Sequence, residues 1–168
     1  MDKTTFMRRA IEISCTSVDR PGTQPYGAVI VKDGEIVGEG LNHSEANFDP
    51  TSHGEVEAIR DACRRLKSTD LSGCELYTSC EPCILCVATM YWARINKLYY
   101  AVSLQEGAGF FGSAVAGRKN VVKTIIDNDE LGRQAIKPAR ERDMPAEQMM
   151  AEEGYAALKA WWARQLGQ

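Results

Sequence analysis

Tyr26-Gly27-Ala28-Val29-Ile30-Val31-Lys32 runs straight into Asp33-Gly34 and then into Glu35-Ile36-Val37-Gly38-Glu39-Gly40. The first run is rich in β-branched residues and predicts a buried strand. Asp-Gly is a strong two-residue hairpin signal, because both turn positions need φ above zero, so the second run returns as a strand beside the first. Upstream, Met7, Ala10, Ile11, Ser14 and Val18 recur at helical spacing, with Thr4 or Thr5 as the cap. Downstream, residues 42–52 are polar and hold Pro50, which reads as a loop. Residues 53–67 predict a helix with an apolar stripe of Val56, Ile59, Cys63 and Leu66. Residues 74–79 predict a short strand, and Pro82 suits the first turn of a helix running to Ala93. That helix is apolar nearly all round, which predicts a central position. Residues 97–102 predict a further strand. The order α-β-β-α-β-α-β implies an α/β sandwich with one antiparallel hairpin and parallel crossovers. Residues 107–117 are glycine-rich and read as a mobile loop. Residues 120–127 predict a short helix, and residues 151–165 a clear one with Tyr155, Leu158 and Trp162 on one face.

The whole chain, 168 residues, predicts a single domain. Apolar residues at 44% and charged residues at 26% exclude collagen-like, disordered and coiled-coil classes. Acids outnumber bases 23 to 20, for a net charge of −3, which argues against a protein that coats nucleic acid. The first residues carry charge but no apolar signal region, and the longest apolar stretch, residues 84–93, is too short to span a bilayer. The expected location is the cytoplasm, with reduced thiols.

His53-Gly54-Glu55 opens one predicted helix and Pro82-Cys83-Ile84-Leu85-Cys86 the next. Cys83 and Cys86 are i, i+3 and face one way on a helix. One imidazole and two thiolates make three zinc ligands, and a catalytic zinc site keeps its fourth position open. His53 and Glu55, two apart, serve one site only where a helix begins. Two helix amino ends aimed at the metal favour thiolates over thiols. Glu55 there takes a water proton and hands it on. Two other readings stay open at this point. Ser52-x-x-Glu55 is also a capping box. Cys80, Cys83, Cys86 and His53 also suit a closed structural Cys₃His site.

H-x-E followed by P-C-x-x-C resembles the signature of the zinc-dependent base deaminases. The likeness extends through the stretch from Pro25 to Gly34, Gly40-Leu41-Asn42, Asp49-Pro50-Thr51, His53-Gly-Glu-Val-Glu-Ala-Ile-Arg60, Leu76-Tyr-Thr-Ser-Cys-Glu-Pro-Cys83 and Met90-Tyr-Trp-Ala-Arg94. These stretches are similar to the bacterial guanine deaminases of the cytidine-deaminase fold. The resemblance implies a three-layer α/β/α sandwich with a five-stranded mixed sheet. It implies Zn²⁺ held by His53, Cys83 and Cys86, with Glu55 as proton shuttle. It implies that Asn42 hydrogen-bonds the base, that Tyr26 contacts the ring, and that the backbone from Ser79 through Glu81 to Cys83 lines the pocket. Ala28 and Trp92 complete the expected substrate-facing set.

Two departures stand out. Glycine occupies position 54, where guanine deaminases usually carry alanine. Gly109-Phe110-Phe111-Gly112 lacks the acid that relatives place after the Gly-Phe pair, with Glu106 nearby as a substitute. The expected reaction is therefore hydrolytic deamination of a small amino-heterocycle: guanine first, then cytosine, a triazine, a pterin or a nucleoside. Phe110 and Phe111 replace acidic recognition by apolar contact. The resemblance also implies a homodimer in which residues 106–168 form a substrate lid and an exchanged tail. A tRNA adenosine deaminase and a non-catalytic zinc-stabilised interaction domain are the other classes. Against the first, residues 118–168 show no basic stripe.

Overall fold

A computed structural model describes residues 2–115 and 127–167, with the backbone alone over residues 111–115. The chain divides into two compact units, residues 1–124 and 125–168. In the first unit the elements are α1 (Lys3–Cys15), β1 (Gln24–Lys32), β2 (Glu35–Asn42), α2 (Gly54–Leu66), β3 (Glu75–Cys80), α3 (Ile84–Trp92), β4 (Lys97–Val102) and α4 (Leu104–Val115). The second unit holds α5 (Asn128–Ile136) and α6 (Ala151–Gln165).

The hairpin forms as its turn chemistry dictates: Asp33 and Gly34 take φ of 50° and 79°. Among the described residues the mixed sheet has four strands in the order β2-β1-β3-β4, not the five expected. Only β3 and β4 are parallel, so there is one parallel crossover, made through α3. Alternation along the strands divides the core. Val29, Val31 and Tyr77 pack with Phe6 and Ile13 of α1 on one face. Ala28, Ile30 and Leu76 pack with Ala58, Ile59 and Ala62 of α2 on the other.

A fifth strand does not follow β4 among the described residues, because α4 starts at once. Glu106 accepts hydrogen bonds from the Ser103 amide and hydroxyl, at 2.8 and 2.6 Å, and the Ser103 hydroxyl accepts from the Glu106 amide at 3.2 Å. That is a capping box. Glu81 adds a carboxylate to the Leu104 amide at 2.9 Å. These contacts outweigh the poor helix propensity of Gly107 and Gly109, so residues 104–115 are helical where the glycine content predicts a loop.

Three further expectations are corrected. The α1 cap position is Asp2, and Thr4 and Thr5 lie inside the helix. The buried face of α1 is Phe6, Ala10, Ile13 and Ser14, while Ile11 and Val18 are exposed. The reason is close approach: a Cβ at Gly27 would lie 2.4 Å from the Ala10 carbonyl oxygen, so small residues face the sheet there. Lastly, α3 is not central in the single chain. Cys86 is its one buried residue, and Tyr91 and Trp92 are 81% and 88% exposed. Beside it, β4 is an edge strand that leaves Tyr100 and Val102 exposed.

In the second unit, Asp127 caps α5 by accepting from the amides of Asp129 and Glu130. The other residues of the predicted 120–127 helix lie outside the described residues. Residues 151–165 are helical as expected, and Tyr155, Leu158, Trp161 and Trp162 are exposed on α6.

Gly40 gives the tightest fit between the hairpin and α2. A Cβ there would lie 2.2 Å from the Gly54 carbonyl oxygen and 2.3 Å from the Ala58 amide nitrogen. Gly40→Ala is therefore expected to destabilise the fold by about 1–3 kcal/mol or more, as overpacking does. Urea denaturation measures it, and a midpoint equal to that of the parent chain would contradict the close packing.

Candidate active site

Two helix amino ends build the site. His53 sits at the cap position of α2 in extended conformation, with φ −76° and ψ 154°. Cys83 holds the corresponding position on α3, and Cys86 lies in the first turn. Pro82 therefore precedes the cap rather than entering the helix. Gly54 opens α2, and a Cβ on it would lie 2.2 Å from the Tyr26 carbonyl oxygen. The start of α2 rests directly on the backbone of β1.

His53 Nδ1 lies 3.4 Å from Cys83 Sγ and 3.5 Å from Cys86 Sγ, and the two sulfurs are 3.7 Å apart. A tetrahedral zinc with ordinary bond lengths separates two sulfurs by about 3.8 Å and nitrogen from sulfur by about 3.6 Å. The three atoms thus fit one face of a zinc tetrahedron. Among the described residues no other group of three histidine, cysteine or carboxylate side chains meets closely enough to hold a metal. Cys80 is outside the group. The closed four-ligand arrangement is thereby disfavoured.

The ligand set is a proton-sharing cluster. Cys83 is lowered to about 4, by hydrogen bonding with Cys86 above all and with His53 next. Cys86 is pushed up, first by the neighbouring Cys83 sulfur and then by burial. His53 is raised, chiefly by its bond to Cys83.

Glu55 is buried, at 5% exposure, in the first turn of α2. Its carboxylate lies 3.3 Å from the Cys86 thiol and 3.4 Å from the Thr78 hydroxyl, both donors. The capping-box reading does not hold, because Ser52 is not the cap residue and its hydroxyl donates to Glu57 at 2.9 Å. Burial raises the Glu55 pKa, and this outweighs the hydrogen bonds that lower it. A carboxyl that readily holds a proton beside the ligands has the chemistry of a general acid–base group. Thr78 joins it although the motifs do not single it out; its place on β3 opposite Ala28 is the one signal for it.

The expected substrate contacts divide. Tyr26 is half-buried, and its hydroxyl pKa is raised by burial and then by nearby Cys80, Glu55 and Cys83, so it stays a donor beside the site. Asn42 is buried, and its carbonyl oxygen accepts from the amide and hydroxyl of Ser44 at 3.0 and 2.8 Å. Ser79 instead ties two strands together, its hydroxyl accepting from the Gly27 amide at 3.1 Å. Glu81 is engaged at the start of α4. Ala28 is packed in the core. Trp92 ends α3 and is exposed; along the helix it lies about 13 Å from Cys83 and about 9 Å from Cys86. Phe110 is exposed on α4, and the Phe111 side chain lies outside the described residues. Glu106 is committed to its capping box.

A mixed α/β sandwich that carries three metal-ligand atoms beside a buried carboxylate belongs to the class of metal-dependent hydrolytic enzymes. Residues 1–102 match the family described as the cytidine and deoxycytidylate deaminase zinc-binding region. The chain belongs to that family. It is 39% identical to the guanine deaminase of Bacillus subtilis over 161 residues, 96% of this chain and 94% of the relative. The X-ray structure of guanine deaminase from that organism matches with a TM-score of 0.78 over the same shares of each chain. The tRNA-specific adenosine deaminase of Aquifex aeolicus is 42% identical over 109 residues, 65% of this chain and 72% of the relative.

Zinc binding needs both thiols and the imidazole deprotonated. Because the Cys86 thiol is raised, it holds its proton near neutral pH and releases it as metal binds, and His53, raised as well, gives up its proton less readily than a free imidazole. Affinity should therefore fall as pH falls. Calorimetric zinc titrations near neutral pH should give heats that depend on the buffer's ionisation enthalpy. Cys80→Ser should bind one zinc like the parent chain, whereas Cys86→Ala should not. Loss of metal from Cys80→Ser would restore the closed-site reading.

Proposed function

We propose that this chain is a zinc-dependent hydrolytic deaminase of a free nucleobase or a related amino-heterocycle, of the guanine type. One observation carries the reading: a His-Cys-Cys face of a zinc tetrahedron with buried Glu55 against it. Zinc held by His53, Cys83 and Cys86 would supply Lewis acidity that makes water an effective nucleophile near neutral pH. Glu55 takes a proton from that water and delivers it to a ring nitrogen, while hydroxide adds to the carbon bearing the amino group. Glu55 then moves the added hydroxyl's proton to the amino nitrogen. The carbon–nitrogen bond breaks, ammonia leaves and a carbonyl remains. Burial of Glu55 suits both steps, because a raised pKa lets it hold the proton between them. In this reading the Asn42 NH₂ donates to an acceptor on the ring, and Tyr26 contacts it.

The guanine deaminase relative is matched over nearly the whole chain, the second unit included, and the tRNA deaminase relative over about two thirds. That favours a small substrate over tRNA. The acid used by guanine relatives is absent after Phe110, and Glu106 is engaged elsewhere. The preferred substrate therefore presents a less polar edge to α4 than guanine does. The exposed apolar face of α3 and β4 supports a homodimer, since patches of this kind mark protein interfaces. The aromatic face of α6 supports residues 106–168 as lid and exchanged tail. None of the described helices is long and apolar enough to cross a membrane. Thiolate ligands suit a reducing compartment, the cytoplasm.

An ammonia-release screen of the zinc-loaded protein against guanine, cytosine, pterins, triazines, nucleosides and tRNA tests the reading. Release from a free base or pterin is expected, with guanine slower than the best substrate. Silence with every compound would favour a non-catalytic domain. Glu55→Ala should keep zinc but lose turnover by at least about 10²–10⁴-fold. Deleting residues 155–168 should abolish or broaden activity without removing zinc, and a fully active monomeric truncation would contradict the exchanged tail.

A further inference from the structure

Asp49, Thr51, Glu57 and Arg60 belong to the family-like stretches of the sequence, yet no step of the chemistry uses them. They meet in one hydrogen-bonded network. Glu57 Oε1 accepts from the buried Ser52 hydroxyl at 2.9 Å and from Arg60 Nη1 at 2.6 Å. The other arm of the Arg60 fork, Nη2, donates to the Thr51 hydroxyl at 3.1 Å, and Nη1 lies 3.5 Å from the Asp49 carboxylate. Asp49 Oδ1 accepts from the amide and hydroxyl of Thr51, at 2.8 and 2.6 Å. Asn47 closes the set by donating to the Ser52 hydroxyl at 3.1 Å. Apart from the Arg60–Glu57 bond within α2, each tie runs from the first two turns of α2, or from within the loop, onto the residues just before His53.

The loop belongs to no sheet or helix ladder, and single backbone bonds, such as the His43 amide to the Ser52 carbonyl at 2.9 Å and the Asp49 amide to the Ser44 carbonyl at 3.0 Å, share its definition with the side-chain network. It even carries Phe48 at φ 50°, a conformation a bulky residue avoids, with the side chain 95% exposed. Such a backbone persists only where its surroundings over-determine it. His53 hangs from this loop: its amide donates to the Thr51 carbonyl at 2.8 Å. The placement of Nδ1 therefore depends on how firmly residues 49–52 are held.

We propose that Arg60, Glu57 and Ser52 are positioning residues for His53: they clamp the loop to α2 so that the imidazole stands ready at the metal face formed with Cys83 and Cys86. This rests on the zinc-deaminase reading of the site. Arg60 acts through its fork, since one guanidinium bridges Glu57 and Thr51, which an ammonium cannot do in the same planar manner. Outer partners of metal ligands commonly contribute about 10–100-fold in metal affinity.

The test is zinc affinity by competition with a chromophoric chelator, together with the absorption spectrum of the cobalt-substituted protein. Arg60→Met should bind zinc about 10–100-fold more weakly and shift the cobalt ligand-field bands. Arg60→Lys should recover part of both. Melting of the metal-free protein is followed alongside, because a purely structural role would lower it and leave affinity and cobalt spectrum as in the parent. That pattern would overturn the proposal. If Arg60→Met does not fold, Ser52→Ala is read in the same way. A parent chain that binds no zinc would instead sink the metal reading, and this proposal with it.

Discussion

The amino end of α2 rests on the backbone of β1 with no room for a Cβ at Gly54. That contact places everything else. It brings His53 and Glu55 beside the end of β3, where the chain turns into α3 with Cys83 and Cys86. With glycine at this contact the helix start approaches the sheet closely, and His53 and Glu55 take their places from it. Gly40 serves the same closeness from the second strand, so the hairpin and α2 form one stiff platform.

The two amino ends then set the electrostatics. Cys83 and Cys86 meet His53 at a point where helix dipoles favour negative charge, and Cys83 is held as a thiolate. Glu55 lies in the same field but is buried, and desolvation wins, so it holds its proton more readily than an exposed glutamate. Opposite protonation tendencies in neighbouring groups are what an acid–base site beside a metal requires. Hydrogen bonds with Cys86 and His53 lower the one, and burial raises the other.

Spacing along the chain is enough to make the group of three candidate metal ligands readable. Cys83 and Cys86 are separated by one helical turn, and His53 and Glu55 straddle a helix start, so short-range geometry determines both pairs. Glu81 and Glu106 are not readable in the same way. Each is a plausible pocket residue by position, and each is occupied in starting α4, because the capping box at Ser103 competes for Glu106 and the Leu104 amide for Glu81. The capping pattern at Ser52 and Glu55 is equally plausible by spacing. It fails because the helix begins one residue later, at a histidine that leaves its side chain for the metal.

From the sequence alone come the hairpin, through Asp33-Gly34, the order of helices and strands as far as β4, and the ligand set with its carboxylate. These depend on contacts between residues close in the chain. The four-stranded sheet, the helical state of residues 104–115, the exposure of α3 and the network from Arg60 to the loop before His53 are decided only in three dimensions. Each balances a weak local preference against packing or hydrogen bonds from residues distant in the chain. Propensity and spacing carry no account of such partners.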